Sequence, residues 1–173
     1  MRWRIRRADA RDADALALIG AATFLDAYAG RLPGPDIVAH CASRNTPEAY
    51  ARWGASADHA LWLVEAEEGG APLGYQLVSP PDLDGFATEA GDVELKRIYL
   101  LSRLYGGGAG QALMDEAIAW ARGRGMARLL LALWEENWRA MAFYRRQGFT
   151  QVGERRFIVG SRAYIDPVLA LTL

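Results

Sequence analysis

The sequence predicts an α/β (α+β) protein in which a mixed sheet of about seven strands carries helices on both faces. Two observations predict this class. Strand-like and helix-like patterns follow the order strand, two helices, three strands, helix, strand, helix, two strands. A continuous apolar run at 129–134, typical of a strand buried on both faces, lies between two helical segments. The 173 residues suffice for a single domain over 1–173 with a sizeable core.

The N-terminal third is predicted to begin with a strand at 3–8, where apolar and charged residues alternate. Asp9 is suited to cap a helix that Pro33 and the residues after it end. Residues 36–57 have a weak pattern of one further helix, and Pro47 is typical of a helix start.

The remaining elements alternate between apolar strands and amphipathic helices. Helices are predicted at 108–122 and 137–147, and Gly148 is suited to end the second of them. A loop is predicted at 80–91. Strands are predicted at 61–66, 73–78, 92–101, 129–134, 150–159 and 164–171.

Charge and composition narrow the classes of function. Lys and Arg number 20 and Asp and Glu 21, so the formal net charge is -1 and no nucleic-acid partner is expected. Cys41 is the only cysteine, which excludes an internal disulfide and a cysteine-ligated zinc cluster. A reducing cytoplasm suits such a chain. No run approaches the roughly 20 apolar residues that span a bilayer, so we expect no membrane segment and no secretory signal.

The two histidines do not indicate a metal site. His40 and His59 stand in separate segments without the spacing of metal ligands. We expect both to be surface or partly buried side chains, and we expect no metal. Cys41 is expected to be a small apolar residue rather than a nucleophile.

A glycine-rich turn from Tyr105 to Gly110 lies between a predicted strand and a predicted helix. Such a turn directs backbone N–H groups at an anion, and the helix dipole adds to the attraction. A P-loop would need Gly-Lys-Ser/Thr, whereas Gln111 and Ala112 follow here. A dinucleotide fingerprint would need Gly or Ala where Gln111 or Leu113 stands. A pyrophosphate site fits the turn, and a flexible glycine loop is the alternative.

A polar and an aromatic residue mark the last predicted helix. Asn137 and Tyr144 stand seven positions apart, so we expect them on one face, about 10 Å apart along the axis. An ordinary half-buried core tyrosine is the alternative for Tyr144. The full pattern of the segment is Asn137-x-x-Ala140-x-x-Phe143-Tyr144-x-x-x-Gly148-Phe149.

These two segments together resemble the GCN5-related N-acetyltransferase (GNAT) superfamily. Its first motif is Gln or Arg, two residues, Gly, any residue, then Gly or Ala; Gly108 and Gly110 match it, while Tyr105 departs at the first position. Its second motif matches at every characteristic position of the pattern that ends at Phe149. The superfamily has the same order of elements, so the resemblance implies a mainly antiparallel, twisted sheet. The resemblance is strongest over 92–149.

The resemblance implies an enzyme that transfers an acetyl group from acetyl-CoA, its co-substrate, to a primary amine. It implies that Asn137 binds the pantetheine arm and that backbone groups near Ile98 and Leu100 pair with it. It implies that Tyr144 contacts the sulfur. A phenol, with a reference pKa near 10, can donate a proton to the leaving thiolate. The turn residues implied to hold the pyrophosphate are Tyr105, Gly106, Gly107, Gly108, Ala109 and Gly110.

Glu94 is the candidate base that removes a proton from the attacking ammonium. It lies on the strand before the turn, fourteen residues before Gly108, an offset at which some superfamily members place a catalytic Glu. An ion pair with a neighbouring Lys or Arg is the alternative role. The rival bases are Asp92, Glu135 and Glu136.

The acceptor is predicted to be a small-molecule amine, and one subgroup narrows it. LWEENWRAMAFYRRQGF, ERRFIVG, YIDPVLALTL, ELKRIYLL and ATFLDAY are similar to bacterial polyamine acetyltransferases of the PaiA type. This implies spermidine or spermine as acceptor, bound by carboxylates. Protein lysine or N-terminal acetylation and a non-catalytic acyl-CoA sensor are the alternatives. The superfamily often dimerises, so a homodimer is an open expectation. The available acids are Asp26, Asp82, Asp84, Glu89, Glu135 and Asp166.

Overall fold

The computed structural model describes residues 1–159 and 162–173; Gly160, which ends the ERRFIVG run, lies outside them. The strands are β1 (Trp3–Ala8), β2 (Ala60–Ala66), β3 (Pro72–Ser79), β4 (Asp92–Leu100), β5 (Arg128–Ala132), β6 (Thr150–Val159) and β7 (Arg162–Thr172). The helices are α1 (Ala13–Tyr28), α2 (Gly34–Arg44), α3 (Pro47–Ala55), α4 (Ala109–Gly123) and α5 (Trp138–Arg146). Short 3-10 turns lie at Ala10–Asp12 and Ser102–Leu104.

The strands are hydrogen-bonded in the order β1-β2-β3-β4-β5-β7-β6, which confirms the predicted mixed seven-stranded sheet. Neighbours pair antiparallel in β1–β2, β2–β3, β5–β7 and β6–β7. β4 and β5 pair in parallel, from Asp92 opposite Arg128 to Glu94 opposite Leu130. A parallel pair needs a long crossover, and the chain supplies one through α4.

The chain forms two compact units. The first unit comprises residues 1–78 and 97–116, and its core joins Leu61 and Leu63 of β2 to Leu16 of α1. Trp62, between those two leucines, instead donates from Nε1 to a carboxylate oxygen of Glu116 on α4 at 3.1 Å. Because alternate residues of a strand point to opposite faces, helices lie on both faces of the sheet here, as predicted.

The second unit comprises residues 79–96 and 117–173. The 80–91 loop between β3 and β4 packs through Leu83 and Phe86 on residues of β5 and β7. A Cβ at Gly153 would lie 2.8 Å from the Phe86 ring, so only glycine lets the loop approach this closely. The backbone N–H of Arg156 donates to the Asp84 carbonyl at 3.0 Å, which fixes the loop on β6.

Two predicted helix boundaries were wrong. Residues 36–57 form two helices rather than one, because the chain leaves helical geometry at Asn45 and Thr46 caps α3 by accepting a bond from Ala49 N–H. Pro47 begins α3, as predicted. Asp9 caps the 3-10 turn that precedes α1 rather than α1 itself. α2 and α3 bury few apolar side chains: Ile37 in α2, and Ala49 and Tyr50 in α3.

Candidate functional site

The glycine-rich turn of the first unit is wound tightly before α4 begins. Gly106 and Gly108 have φ values of 79° and 85°, in the left-handed region that favours glycine. Tyr105 N–H donates to the Ser102 carbonyl at 3.0 Å, and Gly107 N–H donates to the Leu104 carbonyl at 3.1 Å. Tyr105 is 43% exposed, so a tyrosine at this motif position, in place of Gln or Arg, leaves the buried packing undisturbed.

The start of α4 presents the donors that an anion would use. Ala112 N–H donates to the Gly108 carbonyl at 3.0 Å, and α4 begins at Ala109, one residue later than predicted. The N–H groups of Ala109, Gly110 and Gln111 therefore have no acceptor inside the helix. Helix starts of this kind are suited to anions, because their N–H groups and the positive end of the helix dipole point the same way.

The second half of β4 extends beyond its ladder with β5. That ladder ends at Glu94, while β4 continues to Leu100. Ile98 and Leu100 are both half-buried. A Cβ at Gly74 of β3 would meet the Leu100 side chain and, at 2.7 Å, the Tyr99 carbonyl oxygen, so a glycine holds this part of β4 close to β3.

Asn137 lies at the N-terminal end of α5, one residue outside the helix. Its side-chain oxygen accepts a hydrogen bond from Ala140 N–H at 3.1 Å, and its carbonyl accepts from Met141 N–H at 2.9 Å. The bond from Ala140 N–H makes Asn137 the N-cap of α5, and this bond orients the carboxamide. The carboxamide nitrogen carries the side chain's two donors.

Tyr144 is buried in α5, at 8% exposure, and its ring packs edge-on against two aromatic rings. The ring centroids of Phe143 and Phe149 lie 5.4 and 5.7 Å from that of Tyr144. Gly148, with φ of 91°, turns the chain after α5, and Phe149 N–H then donates to the Tyr144 carbonyl at 3.1 Å. The Gly-Phe end of the motif therefore acts by fixing the position of the tyrosine.

Glu94 is a buried carboxylate of the second unit, at 2% exposure. Its Oε2 accepts a hydrogen bond from Asp82 N–H at 2.8 Å, and the Lys96 ammonium lies 3.7 Å from the same oxygen. Burial raises the pKa of Glu94, and the Lys96 charge opposes that shift. The ion pair expected as the alternative role is therefore present. A raised pKa also makes the carboxylate a stronger base near neutral pH.

The rival bases are placed differently. Asp92 receives two hydrogen bonds from Arg128, at 2.7 and 2.8 Å, and a third from Glu89 N–H at 2.8 Å. The Arg128 bonds lower the pKa of Asp92, which makes it a weaker base. Glu135 and Glu136 are exposed in the turn before α5.

Four of the six acidic side chains that are candidates for binding a polycation already form an ion pair or accept a hydrogen bond. Asp26 accepts from Ser102 N–H at 2.8 Å, and Asp82 pairs with Lys96 at 2.9 Å. The other two ion pairs are Glu89 with Arg128 at 3.3 Å and Asp166 with Arg155 at 3.4 Å.

His40 and Cys41 pack against α1 in the first unit. The ring of His40 stacks on Phe24 with centroids 4.0 Å apart, and burial lowers the His40 pKa to about 4. Cys41 is half-buried and its Sγ lies 3.9 Å from the Ala21 carbonyl. Within residues 1–159 and 162–173, no three His, Cys, Asp or Glu side chains are grouped as a metal site would require. No described helix is long and apolar enough to cross a bilayer.

Arg97 is a charged residue of β4 for which the sequence indicated no partner. Its guanidinium bonds to Asn45 and Tyr50 at 2.8 Å and to the Arg44 carbonyl at 3.0 Å. A charged residue inside a strand was the available signal, but its partners lie some 50 positions earlier and leave no local pattern.

The family model described as "Acetyltransferase (GNAT) family" matches residues 25–149. An uncharacterized N-acetyltransferase of Mycobacterium tuberculosis (strain ATCC 25618 / H37Rv) is 32% identical over 163 residues, 94% of this chain and 98% of the relative.

The crystal structure of PaiA N-acetyltransferase from Thermoplasma acidophilum in complex with coenzyme A has a TM-score of 0.80 at 19% identity, over 100% of both chains. The ribosomal-protein-S18-alanine N-acetyltransferase of Escherichia coli has a TM-score of 0.65 at 17% identity, over 99% of this chain and 94% of that one. At these identities the two structures show the fold alone. On the family match and the full-length relative, the chain belongs to the acetyltransferase (GNAT) family and is an N-acetyltransferase that acts with coenzyme A.

Proposed function

We propose that the chain transfers the acetyl group of acetyl-CoA to a primary amine by direct attack, with Glu94 as base and Tyr144 as acid. The observation that carries the proposal is the burial of Glu94 on β4, which raises its pKa toward the range of a working base. The buried, tightly positioned Tyr144 on α5 supports the acid role.

The proposed reaction begins when Glu94 takes a proton from the acceptor ammonium, directly or through water. The free amine nitrogen attacks the thioester carbonyl, and backbone N–H groups of β4 stabilise the oxyanion of the tetrahedral intermediate. The nitrogen of the intermediate loses its second proton to water as the carbon–sulfur bond breaks, and the Tyr144 hydroxyl donates its proton to the leaving sulfur. The products are the N-acetylated amine and free CoA, and proton exchange with solvent restores both side chains.

We assign the cofactor contacts from the motifs and the local geometry. The helix start at Ala109 and the turn before it support pyrophosphate binding by the backbone of residues 105–110. The part of β4 beyond its ladder with β5 supports pairing of Ile98 and Leu100 with the pantetheine arm. The capped, oriented carboxamide of Asn137 supports a hydrogen bond to the same arm.

The first test is release of CoA thiol from acetyl-CoA with a panel of amines and an amine-free control. The panel holds spermidine, spermine, small aminoalkyl compounds, amino acids and a lysine peptide. Release with one class establishes the acetyl transfer and identifies the acceptor. Acetyl-CoA binding without release on any amine would favour the non-catalytic sensor.

Tyr144→Phe tests the acid. We expect kcat to fall by about 100-fold, the lower end of the range for general acid–base catalysis, because the phenolic proton is lost. The dissociation constant of acetyl-CoA should stay within about twofold, since the ring remains. Tyr164→Phe, on β7 of the same unit, is the matched control. An unchanged kcat would remove Tyr144 from the acid role.

Among primary amines, a polyamine is the more specific hypothesis for the acceptor. The likeness of ELKRIYLL and ATFLDAY to PaiA-type enzymes supports it, as does the fold similarity to the PaiA structure. Three of the six candidate carboxylates already form ion pairs and a fourth accepts a backbone hydrogen bond, which weakens the support from charge. The similarity to a ribosomal-protein acetyltransferase supports a protein N-terminal amine instead. The amine panel separates the two.

We also propose that residues 1–173 act as one acetyltransferase domain, because the family match at 25–149 includes parts of both units. A homodimer located in the cytoplasm is the accompanying proposal. Dimerisation is frequent in the superfamily, and a lone, half-buried Cys41 suits a reducing compartment. Light scattering at several protein concentrations tests the dimer.

A further inference from the structure

Asp26 lies in the last turn of α1, where the helix itself gains nothing from an acid. α1 runs from Ala13 to Tyr28, and its last turn carries no basic residue. The carbonyl end of a helix bears partial negative charge, so an aspartate there is electrostatically unfavourable, and aspartate is also a poor helix former. A residue that breaks a local rule in this way calls for a contact or a function elsewhere in the fold.

Asp26 holds the start of the connection from β4 to α4. Its Oδ2 accepts a hydrogen bond from the backbone N–H of Ser102 at 2.8 Å, and the Ser102 hydroxyl donates to its Oδ1 at 3.3 Å. Ser102 begins the short 3-10 turn that ends at Leu104. The two partners stand 76 positions apart and belong to the same compact unit, so the bonds join two distant segments of that unit.

Backbone hydrogen bonds connect Ser102 to the glycine-rich turn that follows it. The Ser102 carbonyl accepts from Tyr105 N–H at 3.0 Å. The Leu104 carbonyl accepts from Gly107 N–H at 3.1 Å, and the Leu104 side chain is buried. Each bond fixes a residue further along the chain, so the position of Ser102 influences where the backbone N–H groups of residues 105–110 point.

A glycine-rich turn benefits from such an anchor more than an ordinary turn does. Gly106 and Gly108 both have φ in the left-handed region, and glycine loses more conformational freedom than any other residue when it becomes ordered. If the protein already holds the turn before the ligand arrives, less of this entropy cost falls on the binding step.

We propose that Asp26 is a positioning residue for the pyrophosphate of CoA: it holds Ser102 and, through Ser102, the turn whose backbone N–H groups bind the anion. The inference rests on the proposed binding of the pyrophosphate by residues 105–110. A carboxylate has no attraction of its own for CoA, because both are anionic, so Asp26 acts through the turn. Both of its oxygens accept from Ser102, and we therefore assign this acid to the turn rather than to a polycationic acceptor.

The experiment is isothermal titration calorimetry with CoA and with pantetheine, which lacks the pyrophosphate. In Asp26→Ala we expect the dissociation constant of CoA to rise by about tenfold, because the turn loses a charge-assisted but exposed anchor. The dissociation constant of pantetheine should stay within about twofold of native, since no pyrophosphate is bound. Loss of the negative charge alone would instead lower the dissociation constant of CoA, so the two explanations differ in sign.

Asp26→Asn separates the hydrogen bonds from the charge. The amide oxygen can still accept from Ser102 N–H, and the amide nitrogen can donate to the Ser102 hydroxyl. The dissociation constant of CoA should therefore stay within about twofold of native or fall, because the charge is lost and the anchor is kept. Asp14→Ala is the control, because it makes the same change at an exposed position in the first turn of α1.

Three outcomes overturn the inference: CoA binding to Asp26→Ala that is as tight as native or tighter, an equal loss of affinity for CoA and pantetheine, or an Asp26→Asn variant as weak as Asp26→Ala. Native protein that binds CoA no more tightly than pantetheine would reject the pyrophosphate site, and the inference with it. A selective loss of CoA affinity in Asp26→Ala, without turnover of any amine by the native protein, would keep the inference and reject the proposed reaction.

Discussion

Asp92 and Glu94 stand two positions apart on β4, and both carboxylates are buried, yet their pKa values shift in opposite directions. Asp92 meets Arg128 through two hydrogen bonds of 2.7 and 2.8 Å, which lower its pKa. The nearest cation to Glu94 is the Lys96 ammonium at 3.7 Å, which lies closer to Asp82, at 2.9 Å. Burial therefore dominates at Glu94 and the ion pair dominates at Asp92.

The contrast separates a structural acid from a candidate catalytic one. A carboxylate held by a bidentate arginine contributes to stability and has little affinity for a proton at neutral pH. A buried carboxylate with a distant cation is costly to keep ionised and readily accepts a proton. The same strand thus provides one acid that stabilises the fold and another that is suited to act as a base.

Glu94→Gln should have the largest effect on catalysis. We expect kcat to fall by about 100-fold or more, which corresponds to about 2.7 kcal/mol, because the amide cannot accept the ammonium proton. The acidic limb of the pH–rate profile should disappear with it. Glu154→Gln, on β6, is the control. A variant that keeps its acidic limb in place would exclude Glu94 as the base.

Asp92→Asn should have the complementary effect on stability. The free energy of unfolding should fall by about 2 kcal/mol, because Arg128 loses the closer and more buried of its two charged partners and keeps only Glu89. Urea unfolding measures this change. Acetyl transfer should stay within about twofold of native. A fall in kcat of much more than twofold in the folded variant would favour Asp92 as the base.

The pH dependence of stability should have opposite signs for the two acids. The lowered pKa of Asp92 adds stability above its ordinary pKa of 3.8, and this is lost as the pH falls through the lower, folded value. The raised pKa of Glu94 works in the other direction: stability falls as the pH rises above its ordinary pKa of 4.5. Urea midpoints across pH should show Glu94→Gln at least as stable as native at neutral pH. A less stable Glu94→Gln would contradict this sign.

Lys96→Met should give the smallest change. Lys96 is the main influence that lowers the Glu94 pKa, so its removal should raise that pKa further. The acidic limb of kcat/KM should then move to higher pH by about one unit or less, since the pair is only partly buried. Arg122→Met, in the last turn of α4, is a control for the lost charge. A limb that moves to lower pH would place another group in the base role.

The sequence patterns predicted the strands more accurately than the helix boundaries. The order of elements follows from alternation, helical periodicity and turns, which are local signals. The boundary between α2 and α3 was missed although Thr46, which caps α3, and Pro47, which begins it, are local signals. The N-cap role of Asn137 was missed by one position, within the usual uncertainty of helix ends.

The sequence by itself determined the order of elements, the glycine-rich turn, the Asn–Tyr motif and, through them, the family. These features are local, because periodicity, glycine spacing and helix ends act over a few residues. Only the tertiary structure decided which carboxylate of β4 has a matched cation. Arg128 reaches Asp92 from 36 positions away, and no pattern in the chain pairs them. Charge compensation depends on such distant contacts, and it decides which carboxylate of β4 is the candidate base.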